Sequence, residues 1–268
     1  MPDLPLVSVL FVTYDRFPLL RKTVSTFIAH TRYPKLQLVV TDDGSPAKVQ
    51  EEIRKLPFND FVLGAKNRGL GANVNAGIAR CEGPYILMLQ DDWDCVATAD
   101  YIGDAVRVMA RNPHIGLIRY YGPAHQLDAA PGLSGADEVC LQISDQERRD
   151  NNPSRIYSDT PHIMSRAALN YLGPYREDCP MESCETDYCR RFDAQDAFKA
   201  ALFPRYYNKS FVHTGEDQSH RTRSARYWVD EALQPVARIL RRCPPAFQLG
   251  KLAVRSSVRA LERLGIVR

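Results

Sequence analysis

An apolar run that leads into acidic residues constrains this chain more than any other feature. Residues 85–89 are continuously apolar, and the carboxylates of Asp91, Asp92 and Asp94 follow within five residues. Such a run predicts a central strand of a parallel sheet, where ligands bind beyond the carboxyl ends of the strands. Like charges at one strand end are costly unless a cation such as Mg2+ or Mn2+ neutralises them. A solvated acidic turn without a ligand is the alternative.

A second acidic pair supports the interpretation of a ligand site. The predicted strand at 36–41 leads into Asp42 and Asp43, after which Gly44-Ser45-Pro46 predicts a turn and 47–55 a helix. One aspartate could simply cap that helix. A helix cap needs only one oxygen, so capping does not explain acidic residues at two strand ends. We expect these two strand ends to be neighbours, which favours a ligand shared by their carboxylates.

Alternating strands and helices predict an α/β fold with a Rossmann-like, mostly parallel sheet flanked by helices. Residues 122–160 are rich in Gly, Pro, Asp, Asn and Ser and predict loops. The predicted strands cover 7–13, 36–41, 61–63, 85–89, 115–121 and 211–215, and the predicted helices cover 17–29, 47–55, 72–80, 99–111, 165–172 and 184–194.

Composition indicates an ordinary globular protein, with 44% hydrophobic and 25% charged residues. We expect no secretory leader and no membrane span, because the apolar run at 6–12 is short and lacks a basic region before it, and no run reaches 18 apolar residues. The odd number of cysteines, seven, argues against a disulfide framework. We therefore expect a cytoplasmic protein with reduced thiols.

The C-terminal segment differs from the rest of the chain in charge. Residues 221–268 hold 11 Lys and Arg against 3 Asp and Glu. A basic row at Lys251, Arg255, Arg259 and Arg263 lies on a predicted amphipathic helix. That helix could contact the inner face of a membrane peripherally, or pack on the body of the protein with a solvated rim. No recognised nucleic-acid module is present, so no nucleic-acid partner is expected.

Segments in the first half carry a resemblance to a known family. Residues 7–16 end in a turn similar to T-Y-N-R with Asp15 in the Asn place, and residues 40–45 contain D-D-G-S. Asn67-Arg68-Gly69, with Asn75-Ala76-Gly77 and residues 82–86, is similar to an N-x-G…N-x-G…A-x-G pattern. Gln90-Asp91-Asp92 stands where a D-x-D motif is expected, with glutamine replacing one carboxylate. In order and spacing these segments resemble family-2 glycosyltransferases of the GT-A fold, over about residues 7–220.

Two segments of the second half extend the resemblance. Residues 184–191, Cys-Glu-Thr-Asp-Tyr-Cys-Arg-Arg, resemble E-D-x-D-x-x-x-R, with Cys184 replacing the first acid. The resemblance implies that Glu185 is the general base. Asp187 is the alternative base, and the helix dipole alone could favour both acids. His213-Thr214-Gly215, with Ser219 downstream, is similar to the family's H-x-G…S segment, whose histidine can bind a metal.

The resemblance and the acidic strand ends together give a set of candidate site residues. Candidate metal ligands are Asp92, Asp94 and His213. Trp93 either stacks on a sugar ring or packs in the core. Candidate nucleotide-binding residues are Thr13, Tyr14, Asp15, Arg16, Asp42, Asp43, Asn67, Arg68, Gly69, Asn75 and Asp91.

The resemblance implies transfer of a sugar, with inversion, from a nucleotide-diphosphate sugar to a hydroxyl acceptor, a saccharide or lipid-linked, in polysaccharide biosynthesis. A divalent metal, Mn2+ or Mg2+, is the implied cofactor. We expect a nucleotide-binding half at 1–95, an acceptor-binding half at 96–222, and a basic helical extension at 223–268. Two alternatives stay open: a sugar-nucleotide nucleotidyltransferase, and a degenerate module that binds a nucleotide or a partner without catalysis.

Overall fold

The computed structural model describes residues 4–123, 125, 127–128, 134–135, 138–143 and 156–215. All of them lie in one compact unit, Met1–Asp217. The predicted basic extension at 223–268 and Ser219 lie outside the described residues, and the boundary at residue 95 stays a prediction. No helix among the described residues is long and apolar enough to cross a membrane.

Helices and strands alternate along the first half of the described chain. The helices are α1 (Phe17–His30), α2 (Ala47–Ile53), α3 (Leu70–Ile78), α4 (Tyr101–Arg111), α5 (Arg166–Leu172) and α6 (Met181–Asp193). The strands are β1 (Val7–Thr13), β2 (Leu36–Asp42), β3 (Asp60–Leu63), β4 (Tyr85–Gln90), β5 (Trp93–Cys95), β6 (Ile115–Arg119), β7 (Leu127–Asp128), β8 (Ser134–Gly135), β9 (Glu138–Val139), β10 (Leu141–Ile143), β11 (His162–Ser165), β12 (Lys199–Leu202) and β13 (Phe211–His213).

One nine-stranded sheet organises the described residues, with the strand order β3-β2-β1-β4-β11-β6-β12-β10-β7. The pairs β3–β2, β2–β1, β1–β4 and β6–β12 are parallel. Only β11 and β10 run against the other strands of this sheet. The predicted α/β class with a mostly parallel sheet is therefore confirmed.

Both faces of the sheet are covered, which explains why its central strands are apolar without alternation. Val9 and Phe11 of β1 pack into a core cluster with α1, α2 and α4. Leu10 and Val12 of the same strand pack into a second cluster with α3, α5 and α6. The sheet is thus the middle of three layers, and its strand ends are left open for a site.

Several elements depart from the sequence prediction. The short strands β5 and β12 were not predicted, and β10 lies inside the stretch predicted to be loops. Strand β11 was also not predicted; it begins at the polar His162 and runs against β4 and β6. Each has three or four residues, too few for a recognisable alternation, and forms through tertiary pairing.

Helix α6 begins at Met181, three residues before the predicted start. Glu185 therefore lies in the second turn rather than at the N-terminus. Because helix-dipole effects fade beyond the first turn, the dipole alone is a weak explanation for Glu185.

Candidate active site

The acidic segments meet along one edge of the sheet because three strands end abreast. Thr13 at the end of β1 is in register with Asp42 of β2, and Val12 is in register with Gln90 of β4. We predicted that the two acidic strand ends would be neighbours, and this prediction was wrong, because β1 lies between β2 and β4. This order places the turn after β1 between the two acidic segments.

Arg16, which begins the turn into α1, bridges the two carboxylates beyond β4. Its Nη1 lies 3.1 Å from Oδ1 of Asp91, and its Nη2 lies 2.8 Å from Oδ2 of Asp92. Asp91 and Asp92 are only 3% and 5% exposed. Buried like charges need a neutralising cation, and in this structure the guanidinium provides it.

Asp91, which follows β4, is hydrogen-bonded to two residues at the end of the neighbouring strand β1. Its Oδ2 accepts a 2.7 Å hydrogen bond from Oγ1 of Thr13, and the backbone amide of Tyr14 also hydrogen-bonds the carboxylate. Burial raises the pKa of Asp91 to about 6, although Arg16 and Thr13 oppose the rise. Asp91 is therefore the more easily protonated acid of the pair.

Asp92 and His213 meet although they are distant in the chain. Nε2 of His213 lies 3.3 Å from Oδ2 of Asp92, and the Thr214 amide donates to the Asp92 carbonyl oxygen at 2.9 Å. Burial would raise the pKa of Asp92, but the His213 hydrogen bond and the Arg16 charge outweigh it and lower the pKa. Gly215 packs here without a side chain, since a Cβ would overlap Asp92 and Arg16.

Asp94 is paired with a lysine, and Trp93 packs beside His213. Oδ2 of Asp94 lies 2.6 Å from Nζ of Lys22 on α1. The Trp93 ring is 4% exposed and packs against Tyr121 and His213, with ring centroids 4.6 and 4.7 Å apart. Trp93 thus orients the histidine ring, while sugar stacking by Trp93 and metal binding by Asp94 stay predictions.

The D-D-G-S segment builds a rigid turn. Asp42 accepts hydrogen bonds from the Ser45 amide at 2.9 Å, from the Ser45 hydroxyl, and from Nε2 of Gln50 at 2.8 Å. Gly44 has φ +82°, and a Cβ there would overlap the Lys66 backbone. Only glycine satisfies both conditions, so the turn and the following loop fit together.

Asp15 also adopts a left-handed conformation, with φ 51°. Aspartate and asparagine tolerate this region better than most residues, which accounts for aspartate in the family's asparagine position. The Asp15 amide donates to Oγ of Ser45 at 2.7 Å. The turns after β1 and β2 are therefore joined.

Asp43 fixes the Asn67-Arg68-Gly69 loop. Its two carboxylate oxygens accept from the amides of Arg68 and Gly69, at 2.8 and 2.9 Å. Burial raises the pKa of Asp43, while these backbone bonds oppose the rise. The Asn67 side chain also accepts from the Gly69 amide, at 3.1 Å.

The loop before α6 is attached to the nucleotide-side elements. Asn75 accepts from the Tyr175 amide at 2.8 Å and donates to the Glu177 carboxylate at 2.9 Å. Nη2 of Arg68 lies 3.0 Å from Oε2 of Glu177. Asn75, predicted to bind the nucleotide, thus joins the two halves of the site.

Glu185 projects from α6 toward residues 156–160. Its Oε1 accepts a 2.9 Å hydrogen bond from the Ser158 hydroxyl and a 3.3 Å bond from the Asp159 amide. Asp159, Gln90 and Val12 line one small cavity at the end of β4. The Glu185 carboxylate is therefore linked, through Asp159, to the edge of the sheet that carries Asp91 and Asp92.

Asp187 is engaged within its own helix. Its Oδ2 accepts from Nε and Nη2 of Arg191 at 3.0 and 2.9 Å, and Nη1 of Arg191 donates to the Leu172 carbonyl oxygen at 2.6 Å. Asp187 therefore orients Arg191 against α5, and its use as a base stays a prediction. Cys184, in the place of the family's first acid, is fully buried, and burial raises the pKa of its thiol to about 12.

Sequence reasoning missed three contributors to this site. Asn73 is buried, donates to the Thr13 carbonyl oxygen and accepts from the Thr41 hydroxyl. Ser158 and Asp159 hold Glu185 from a stretch predicted to be loops. A polar residue inside an apolar helix pattern could have indicated Asn73; the others depend on tertiary contacts.

The potential metal-binding atoms of Asp92 and His213 fit a hard divalent cation. Oδ1 of Asp92 is buried and has no hydrogen-bond partner among the described residues, and the His213 imidazole lies beside Oδ2. No group of three or more His, Cys, Asp or Glu residues in the described chain could hold a metal by itself. A site with one or two protein donors suits Mg2+ or Mn2+, which take further ligands from phosphates and water.

Comparison with known proteins identifies the family. The model of glycosyl transferase family 2 matches residues 8–173, and the chain belongs to this family. The match covers β1 to α5, including the acidic strand ends and the Asn67-Arg68-Gly69 loop, and it favours a glycosyltransferase over a nucleotidyltransferase.

Solved structures share the GT-A fold at low sequence identity. A mannosyltransferase from Pyrobaculum calidifontis, PcManGT, in complex with GDP-Man and Mn2+, has a TM-score of 0.57 and 19% identity, over 82% of this chain and 59% of that one. S. aureus TarS 1-349 has a TM-score of 0.53 and 18% identity, over 78% and 60%.

A curated relative is similar over part of the chain. The uncharacterized protein y4gI of Sinorhizobium fredii (strain NBRC 101917 / NGR234) is 28% identical over 146 residues, which cover 52% of this chain and 16% of the relative. The chain thus spans about 60% of the first two solved structures and a small part of that relative.

Proposed function

We propose that this protein transfers a sugar from a nucleotide-diphosphate sugar to a hydroxyl acceptor with inversion. The observation that carries the proposal is the convergence of Asp91, Asp92 and His213 beyond the end of β4, with Arg16 between the acids. Family membership supports it, and so does the fold shared with PcManGT, whose structure is a complex with GDP-Man and Mn2+.

The nucleotide side binds and orients the donor. Asp91, Thr13 and the turns after β1 and β2 offer carboxylate and hydroxyl groups for base and ribose. Asp42 and Asp43 give these turns their shape, because their own oxygens are taken up by backbone and side-chain donors. Asn67, Arg68 and Gly69 form the adjoining wall, and Arg68 brings a positive charge to it.

Asp92 and His213 would hold the divalent cation. When bound, that cation supplies Lewis-acid stabilisation of the charge on the leaving diphosphate. Arg16 contacts the same carboxylate, so its positive charge would lie beside the cation site and help to stabilise the leaving diphosphate.

Glu185 acts as the general base. Oε1 is held by Ser158 and Asp159, which leaves Oε2 to take the proton of the acceptor hydroxyl. A positioned base typically contributes about 10^2 to 10^4-fold to rate. Attack from the Glu185 side, opposite the leaving diphosphate, inverts the anomeric configuration in a single displacement.

A nucleotide panel tests this proposal. Melting temperatures are measured with UDP, GDP, dTDP and CDP, each with Mn2+, Mg2+ or EDTA. We expect one nucleotide to raise the melting temperature in a metal-dependent way, because a ligand that binds only the native state stabilises it.

No shift with any combination would contradict the donor site. It would favour the degenerate binding module, the alternative that the substitutions Gln90 and Cys184 make plausible. A shift that persists in EDTA would contradict the cation role alone.

A further inference from the structure

Arg119, at the end of β6, is the largest fully buried side chain in the described part of the protein. An arginine side chain remains protonated in proteins, and a buried charge is costly unless hydrogen bonds and opposite charges surround it. Burial lowers the pKa of Arg119, and Tyr207, Cys189 and Glu185 are among the groups that oppose the lowering. A buried cation near the proposed base requires a physical explanation.

Arg119 fastens residues 156–160, which we call the strap, at both ends. Nη1 donates to the Ile156 carbonyl oxygen at 3.0 Å, and Nη2 donates to Oγ1 of Thr160 at 3.2 Å. Nη2 also donates to the carbonyl oxygen of Tyr121 at 2.8 Å, and Thr160 donates to the same oxygen at 3.0 Å. One side chain thus fixes the strap against the segment that follows β6.

The strap in turn holds Glu185. Both hydrogen bonds from the strap, from the Ser158 hydroxyl and the Asp159 amide, fall on Oε1. Four residues further along α6, the Cys189 thiol donates to the Tyr157 carbonyl oxygen at 2.8 Å. The strap therefore runs along α6, and its conformation decides which way the Glu185 carboxylate points.

We propose that Arg119 is a positioning residue for Glu185, because it fixes the strap that orients the carboxylate. This inference rests on the proposed function, in which Glu185 is the base. It assigns a role to a side chain outside the resemblance motifs, and to a segment that the sequence predicted to be loops.

The fork geometry of arginine gives the proposal a specific expectation. Lysine keeps the charge but cannot donate to Ile156, Thr160 and Tyr121 together from a planar group. Arg119→Lys should therefore keep part of the orientation of the strap, whereas Arg119→Met should lose all of these hydrogen bonds. Ser158→Ala removes one hydrogen bond to Glu185 and leaves Arg119 in place.

The test measures kcat and donor KM for nucleoside diphosphate release, with water as the acceptor that takes the sugar. The donor is whichever of UDP-glucose, UDP-N-acetylglucosamine, dTDP-glucose and GDP-mannose the wild type consumes fastest. Variants are Ser158→Ala, Arg119→Lys, Arg119→Met and Glu185→Gln. Arg166→Met is the control, because Arg166 also binds backbone carbonyl oxygens, those of Cys81 and Gly83, but none in the strap.

We expect Ser158→Ala to lower kcat about tenfold, the equivalent of one hydrogen bond, with an unchanged donor KM. Arg119→Met should lower kcat by roughly 10^2-fold, the lower end for loss of a positioned base, with an unchanged donor KM. Arg119→Lys should have a kcat between those of Arg119→Met and wild type. Arg166→Met should lower the melting temperature without changing kcat.

The outcomes separate this inference from the proposed function. Wild-type kcat in Ser158→Ala and Arg119→Lys, together with an inactive Glu185→Gln, would overturn the positioning role and leave the proposed base intact. Full activity in Glu185→Gln would overturn the base and, with it, this inference. If Arg119→Met does not fold, the kcat values of Ser158→Ala and Arg119→Lys still test the positioning role of Arg119.

Discussion

Nε2 of His213 lies 3.3 Å from Oδ2 of Asp92, although 121 residues separate them in the chain. The pairing of β13 with β5 brings them together, because His213 is in register with Trp93. The buried Trp93 ring then supports the imidazole. The proposed cation site is therefore built from the end of β4 and from a strand that follows much later.

The contact between Asp92 and His213 leads us to predict that Asp92, and not Asp94, binds the divalent cation. Asp92→Asn should abolish the metal-dependent part of the nucleotide-induced shift in melting temperature, because it removes the carboxylate beside His213. Asp94→Asn should keep that part, since Asp94 pairs with Lys22. The reverse result would assign the metal to Asp94, the other candidate metal ligand in this segment.

Removing the guanidinium that bridges the buried Asp91 and Asp92 should expose the repulsion between these acids. In EDTA we expect Arg16→Met to lower the free energy of unfolding by roughly 3 kcal/mol, because breaking a buried ion pair leaves charges uncompensated. Mn2+ should restore part of that loss by taking over the neutralising role. Urea titrations with Mn2+ and with EDTA measure both values; an equal loss in the two would show that no cation binds these carboxylates.

Gly44 should be irreplaceable for nucleotide binding. Gly44→Ala imposes φ +82° on alanine and overlaps the Lys66 backbone, which cannot yield as a side chain can. We expect at least about tenfold weaker binding of the nucleotide that gives the largest shift. Gly173→Ala is the matched control, because Gly173 has φ +77° but a Cβ there would make only an ordinary contact, with Nη1 of Arg191 at 3.9 Å. Equal binding by both variants would argue against a role for this turn.

His162 should make the protein sensitive to mild acid. Burial lowers the pKa of His162 to about 4, so the folded state binds fewer protons than the unfolded state between about pH 4 and 6.5. Its stabilising contribution is complete above pH 6.5 and is lost as the pH falls toward 4, by roughly 3 kcal/mol. His162→Gln should flatten this part of the stability–pH curve, whereas the exposed His114→Gln should not; parallel curves for His162→Gln and wild type would contradict the assignment.

The first half of the fold was predictable because its signals are local. Residues 85–89 are continuously apolar since both faces of β4 are covered, and the D-D-G-S turn follows β2 directly. These features placed Asp91, Asp92 and Asp43 at the strand ends. The intervening position of β1 was not predictable, because strand order is set by tertiary pairing.

The second half was less predictable because its signals are long-range. β11 runs against β4 and β6, so its four residues form a strand only through those partners. The positions of Ser158 and Arg119 follow from that pairing and carry no local pattern. The motif at residues 184–191 did identify Glu185, but not the residues that hold it.

The most direct test of the proposed mechanism compares donor turnover in wild type and Glu185→Gln. Glu182→Gln is the matched control, since Glu182 is an exposed acid in the first turn of the same helix. We predict that Glu185→Gln lowers kcat by at least about 10^2-fold, keeps the nucleotide-induced shift in melting temperature, and that Glu182→Gln behaves as wild type. Full turnover by Glu185→Gln, or equal loss in both variants, would contradict the mechanism.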